Sequence, residues 1–221
     1  VAKLCHAFKN LKNNEISAKF TSTGYVTSTA KAVVNVNNVS ITANDMTVYY
    51  GSDIIYKVTL TDDSGNAVSG KEIILDVNGT EYILKTNKNG RVSFNFTLGV
   101  GKHTVKLGFN DDAKTMILDK TITVRTTINP SAYAKYTYGS NYEFTLLDNT
   151  GKVLKNTEVS VVIDDVYHVS SDSNGKIVVP IKLAPGKYNV FVVNPSTHEI
   201  NTKSITVVSR LYKNQALTMY Y

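Results

Sequence analysis

The 221-residue sequence is expected to be all-β and built of tandem antiparallel β-sandwiches, and three observations carry that expectation. Val, Ile, Thr, Tyr and Asn dominate while charged residues make up only 19%, a composition that suits strands and turns but not the Glu-, Lys-, Leu- and Ala-rich surface of a helical bundle. Apolar and polar residues alternate with period two in one short run after another. The sequence also repeats itself at an interval near 85 residues.

The repeat is read from landmarks. Tyr49-Tyr50-Gly51-Ser52 returns as Thr137-Tyr138-Gly139-Ser140 at an offset of 88 residues. Asp63-Ser64-Gly65-Asn66 returns as Asn149-Thr150-Gly151-Lys152 at 86, Asn89-Gly90 as Asn174-Gly175 at 85, and Thr121-Ile122-Thr123-Val124 as Ser204-Ile205-Thr206-Val207 at 83. Drift of a few residues is what loops of unequal length produce. Leu11 to Phe20 aligns with Leu98 to Leu107, and Leu217-Thr218-Met219-Tyr220-Tyr221 copies the character of Asp45 to Tyr50. The expected organisation is therefore residues 1–41 as the back half of a repeat, 42–125 and 126–209 as two full repeats, and 210–221 as the start of another, all excised from a longer array.

Taken in order, Val1 to Asn10 reads as a strand continuing the repeat, although Leu4, Phe8 and Leu11 also fit helical spacing. In the first full repeat the alternating runs are Tyr56-Val58-Leu60, Ile73-Leu75-Val77, Val92-Phe94-Phe96-Leu98, Val105-Leu107-Phe109 and Ile122-Val124. The second repeat follows with Tyr142-Phe144-Leu146, Val159-Val161-Ile163 and so on to Ile205-Val207. Asn78-Gly79 is a two-residue hairpin signal, because both residues tolerate the positive φ of a type I′ turn, and Asp164-Asp165 is its looser counterpart. Asn37 to Ile41 and Thr126 to Pro130 are the short connections, with Pro130 fixing one φ. About seven strands in a repeat of this size match an Ig-like sandwich. With one Cys and no Trp, its core must be aliphatic, Tyr and Phe.

These motifs carry a family resemblance: the Tyr-Gly-Ser opening, the Asp/Asn-rich Gly turn, Gly70-Lys71-Glu72-Ile73-Ile74-Leu75-Asp76-Val77-Asn78-Gly79, Asn89-Gly90-Arg91-Val92 and Gly101-Lys102-His103-Thr104-Val105. Together they resemble the tandem Ig-like repeats of adhesin-like surface proteins, of invasin/intimin type, most like those of methanogenic archaea. The resemblance covers essentially the whole chain. It implies a cell-surface stalk or adhesive array, extracellular, with no catalytic residue.

Charge excludes one class of partner. Residues 1–41 hold five Lys against Glu15, and residues 210–221 hold Arg210 and Lys213 without an acid. Those ends account for the whole net charge of +6, since residues 42–125 have ten basic and ten acidic residues and 126–209 have seven of each. No basic face for nucleic acid is implied there. No apolar stretch is long enough to span a membrane.

Catalytic and metal chemistry are expected to be absent. His103 and His168 occupy different places in the two repeats, so no shared triad exists, and the adjacent Cys5 and His6 would point to opposite faces of a strand. No Cys/His cluster has zinc spacing, and cofactors are expected to be none. Asp62-Asp63, Asp111-Asp112, Asp164-Asp165 and Asp172 lie at loops that calcium could use, but Asp is equally a turn residue and that reading is preferred. A Lys57 isopeptide bond is disfavoured, because the closing strand Lys120 to Val124 offers no Asn.

Asn38, Asn78 and Asn95 match the glycosylation acceptor pattern, with Asn38 the most accessible. Tyr49, Tyr50 and Tyr138 recur at repeat openings and are assigned to packing between neighbouring repeats. Each sandwich should measure roughly 30–40 Å, so a series would project a distal domain. A glycan or protein of another cell is the expected partner. Two alternatives stay open: a glycan- or protein-binding module, and accessory domains of a secreted carbohydrate-active enzyme. Lower hydrogen-exchange protection is expected in 1–41 and 210–221 than between them.

Overall fold

A computed structural model describes residues 12–36, 38–110, 115–130 and 133–210. Two compact units divide the chain: Val1–Asn44 with Tyr56–Phe94 and Val105–Lys120, and Asp45–Ile55 with Asn95–Thr104 and Thr121–Tyr221. The expected order of residues 1–11 and 211–221, and with it the reading of Val1 to Asn10, Cys5, His6, Tyr220 and Tyr221, lies outside the described residues, as do Asp111 and Asp112.

The chain is all-β, with eighteen strands and no helix among the described residues. β1 (Lys12–Phe20) and β2 (Ser28–Val36) pair antiparallel from Lys12↔Val36 to Phe20↔Ser28 as a two-stranded ribbon. The next eight strands are β3 (Val39–Thr42), β4 (Met46–Tyr49), β5 (Ile54–Asp62), β6 (Glu72–Val77), β7 (Thr80–Lys85), β8 (Arg91–Phe96), β9 (Gly101–Phe109) and β10 (Met116–Arg125). They form a three-stranded sheet, β3-β5-β8, and a five-stranded sheet, β4-β10-β9-β6-β7.

The last eight strands repeat the scheme. They are β11 (Ile128–Pro130), β12 (Lys135–Thr137), β13 (Asn141–Leu146), β14 (Glu158–Ile163), β15 (Asp165–Ser170), β16 (Lys176–Pro180), β17 (Gly186–Val193) and β18 (Ile200–Val208). Their sheets run β11-β13-β16 and β12-β18-β17-β14-β15, the same order strand for strand. The fold is thus tandem Ig-like β-sandwich. Each copy has eight strands because the opening strand breaks in two and contributes one piece to each sheet. The second piece meets the closing strand running the same way, so β4–β10 and β12–β18 are parallel pairs in otherwise antiparallel sheets. Most of the expected connections are strand as well: β3 pairs β5 through Ile41↔Leu60 and β11 pairs β13 through Ile128↔Leu146, leaving only Thr126-Thr127 between β10 and β11.

Alternation places the cores as expected. In β5, Ile54, Tyr56, Val58 and Leu60 are buried and Ile55 and Lys57 exposed. In the second copy Tyr142, Phe144, Leu146, Val159, Val161, Ile163, Ile205 and Val207 are buried in one cluster. Fully burying a Val, Leu or Ile side chain contributes about 1.5–3 kcal/mol. Tyr142 packs its ring against Tyr136 and Phe144 at 5.7 and 5.8 Å, and burial pushes its phenol up to about 12.

Turns follow their residues. Asn78 and Gly79 take φ of 53° and 88° and close β6–β7 through Val77↔Thr80, as the hairpin signal predicts. The counterpart differs from expectation. Ile163 pairs with Asp165, so Asp164 alone, at φ 65°, occupies the tip and Asp165 belongs to the strand.

Candidate functional site

The acidic turns are built around their own backbone. The carboxylate Oδ1 of Asp62 accepts the N–H groups of Ser64 and Asn66 at 2.9 and 2.8 Å. Asp148 does the same for Thr150 and Lys152, and Asp172 for Asn174 and Lys176. Each D-x-x-G-x turn therefore uses its first carboxylate as a cap. Hydrogen bonds to Asn66 hold the Asp62 carboxyl below its ordinary value; the Thr150 hydroxyl does so chiefly for Asp148 and the Lys176 N–H for Asp172. Asn87 makes the corresponding bonds to Asn89 and Arg91 with a neutral amide oxygen. The same turn is thus built with an amide in one copy and a carboxylate in the other. Among the described residues no group of three or more His, Cys, Asp and Glu is arranged to hold a metal ion.

Ser160, His168 and Glu158 meet on the exposed face of β14–β15. Ser160 Oγ lies 3.2 Å and Glu158 Oε1 3.9 Å from the same nitrogen, His168 Nδ1. A nucleophile relay needs the hydroxyl on one ring nitrogen and the acid on the other, so this arrangement cannot pass a proton from serine to carboxylate through the ring. His103 Nε2 lies 2.7 Å from the carbonyl of Gly99. Asn38, Asn78 and Asn95 are all exposed, with the backbone N–H of Asn38 donating to Asp63.

The tyrosines diverge. Tyr138 is 58% exposed, whereas Tyr49 and Tyr50 are half-buried within the second compact unit. There the Tyr49 ring lies over Gly151 so closely that a Cβ on Gly151 would collide with it. Ser52 Oγ donates to the Asn149 carbonyl at 2.5 Å, and Asn149 Nδ2 donates back to the Gly51 carbonyl at 3.2 Å. A Cβ on Gly51 would come within 3.3 Å of Thr197. The Tyr-Gly-Ser opening of one repeat is thus seated on the Asn-Thr-Gly turn and the β17–β18 loop of the next. A cleft of about 410 Å³ lies beside it, with Tyr49, Lys102, Arg125, Asn129 and Leu147 on its walls.

Next to this contact is a buried polar cluster that sequence reading did not single out. Glu199 is 3% exposed and accepts hydrogen bonds from Thr126 Oγ1, Thr127 N and Thr127 Oγ1 at 2.5, 2.5 and 2.6 Å. Asn194, also buried, donates to Thr127 Oγ1 at 3.0 Å and to the Leu147 carbonyl at 2.8 Å. The available signal was weak: Glu199 is the sole acid in a stretch of polar and apolar residues, with no motif around it.

No protein-family model and no curated protein matches the sequence. Among solved structures, a membrane-anchored protein of Corynebacterium diphtheriae is similar at 11% identity and a TM-score of 0.42, covering 92% of this chain and 61% of that one. The Escherichia coli adhesin FdeC is similar at 18% identity and a TM-score of 0.34, covering 89% of this chain and 74% of that one. A 1.5-MDa bacterial ice-binding adhesin gives 17% and 0.31, with coverage of 87% and 71%. These neighbours are bacterial adhesins and surface-anchored proteins, and they lend no support to an archaeal source. At such identities and scores they carry no argument about function. No helix of the described residues is long and apolar enough to cross a membrane.

Proposed function

We propose that the chain is a non-catalytic, extracellular segment of a cell-surface adhesin-like array, with residues 42–125 and 126–209 as full repeats flanked by parts of two more. One observation carries this reading: the same eight-strand sandwich occurs twice, and the opening turn of the first is seated through Tyr49, Gly51 and Ser52 on loops of the second. Nearest-neighbour contacts of this kind let copies in series act as a stalk. On this reading Tyr49, Tyr50 and Tyr138 are packing residues, and Asn38, Asn78 and Asn95 are surface positions open to glycosylation.

A second reading, in which the repeats themselves bind a glycan or protein of another cell, is favoured by the cleft that places Tyr49 beside Lys102 and Arg125. An aromatic face supplies contact area and cations supply selectivity. Binding of the fluorescently labelled chain to intact microbial cells and insoluble polysaccharides, with and without calcium, separates the two. The stalk reading expects no saturable binding by folded protein; saturable binding weakened by Tyr49→Ala and Lys102→Ala would instead make the repeats adhesive.

A further inference from the structure

We propose that Glu199 is a positioning residue that locks the connection Thr126-Thr127 onto the second sandwich, making this junction a fixed joint rather than a hinge. The inference deepens the array reading, on which its mechanical meaning rests.

A buried carboxyl group needs a cation or hydrogen-bond donors to offset its lost hydration. Glu199 is 3% exposed, and no cation pairs with it among the described residues. Its side-chain oxygens are therefore satisfied by hydrogen-bond donors alone. Three donors reach it, the hydroxyl of Thr126 and the hydroxyl and N–H of Thr127, and all belong to the two residues that join β10 to β11. If the connection swung away, the carboxylate would lose every one of these partners at once. The lock thus works in both directions, since the loop needs the connection as much as the connection needs the loop.

The loop is itself shaped for this. His198 adopts φ 59° and donates its N–H to the Asn194 carbonyl at 2.8 Å, a left-handed turn that delivers Glu199 inward. Asn194 Oδ1 accepts the Ser196 N–H at 2.9 Å, and the Asn194 side-chain amide bridges Thr127 to the Leu147 carbonyl. Thr197 Oγ1 lies 2.8 Å from Thr127 Oγ1 while its Cβ backs Gly51. One loop accordingly grips both the connection and the opening turn of the preceding repeat.

The residues that build the device differ between the two copies at corresponding positions. At the offset that relates Val124 to Val207, Glu199 corresponds to Met116, which is 37% exposed. By the matching pairs Ile41↔Leu60 and Ile128↔Leu146, Thr126 and Thr127 correspond to Val39 and Ser40. At these corresponding positions the first copy has Met116 in place of the carboxylate and Val39 and Ser40 in place of the paired threonines, while Asp111 and Asp112 of its loop lie outside the described residues.

The test uses the full chain with Glu199→Met, which installs the residue of the other copy, and Glu199→Gln. A carboxamide oxygen can still accept from Thr127, and its NH2 can donate to Thr126 Oγ1. Two quantities are followed: hydrogen exchange of the Thr127 amide and tryptic cleavage of the Arg125–Thr126 bond. The lock requires both to rise at least tenfold in Glu199→Met, with the Val161 and Val192 amides unchanged and Glu199→Gln close to wild type. Unchanged Thr127 exchange, or a rise shared equally by the core amides, would overturn it. Should Glu199→Met not fold, Thr126→Val removes one donor and must raise the same two quantities severalfold; no rise overturns the proposal. Saturable cell binding would sink the stalk reading while leaving this result standing.

Discussion

At the scale of single residues, the aspartates that open the D-x-x-G-x turns show how one side chain can serve fold and pH response together. Asp62, Asp148 and Asp172 each hold two backbone N–H groups, and those bonds lower their pKa in the folded chain. A group with a depressed folded pKa contributes stability that is complete above its unfolded value, near 4, and is lost as pH falls through the folded one. The thermal midpoint should therefore be flat between about pH 7 and 5 and fall below about pH 4. Asn87 shows that a neutral oxygen builds the same turn. Asp172→Asn should keep the neutral-pH midpoint and reduce the acid slope, which calorimetry across that range would measure. An unchanged slope would mean that the Asp172 carboxylate is not among the groups responsible.

Individual elements were legible where a local rule decides them. Period two placed Tyr56, Val58 and Leu60 inside, and Asn78-Gly79 fixed its turn, because strand pleat and left-handed φ depend on neighbouring residues alone. Asp164-Asp165 was misread as a two-residue tip, since Asp tolerates αL and strand alike and only pairing with β14 chooses the register. The break of each opening strand between two sheets was hidden for the same reason: β3 and β4 are each four residues long, and their partners lie far along the chain. The hairpins nonetheless allow a sharp comparison. Asn78→Ala and Asp164→Ala place a residue without local hydrogen bonding at φ 53° and 65°, and each should destabilise by about 1 kcal/mol, whereas Asn78→Gly should be neutral or better. Urea titration of the three variants checks the ranking. A neutral Asn78→Ala would show that the turn relaxes out of the left-handed region.

Across the whole molecule, duplication supplies internal controls, because equivalent positions share a fold while differing in what touches them. The repeat and the tyrosines at its opening could be read from spacing; Glu199 and Asn194 could not, because their meaning lies in a loop and a connection brought together from more than 65 residues apart. Gly65 and Gly151 are the most telling pair. Both sit at the same turn position with φ of 81° and 84°, yet a Cβ on Gly65 would meet nothing within 4 Å and one on Gly151 would strike the Tyr49 ring. Neighbouring residues differ in the same sense, for Asn149 donates to the Gly51 carbonyl whereas Asp63, at its equivalent, accepts from Asn38. Alanine at either glycine bears the backbone cost of a left-handed residue, about 1 kcal/mol. Only at 151 must it also displace an aromatic ring, adding about 1–3 kcal/mol of overpacking. Gly151→Ala should therefore lower the stability of the full chain clearly more than Gly65→Ala, and the Tyr49→Ala background should erase that excess. Equal losses at the two glycines would mean that Tyr49 makes no stabilising contact with the turn, and the packing role assigned to the opening tyrosines would fall with it.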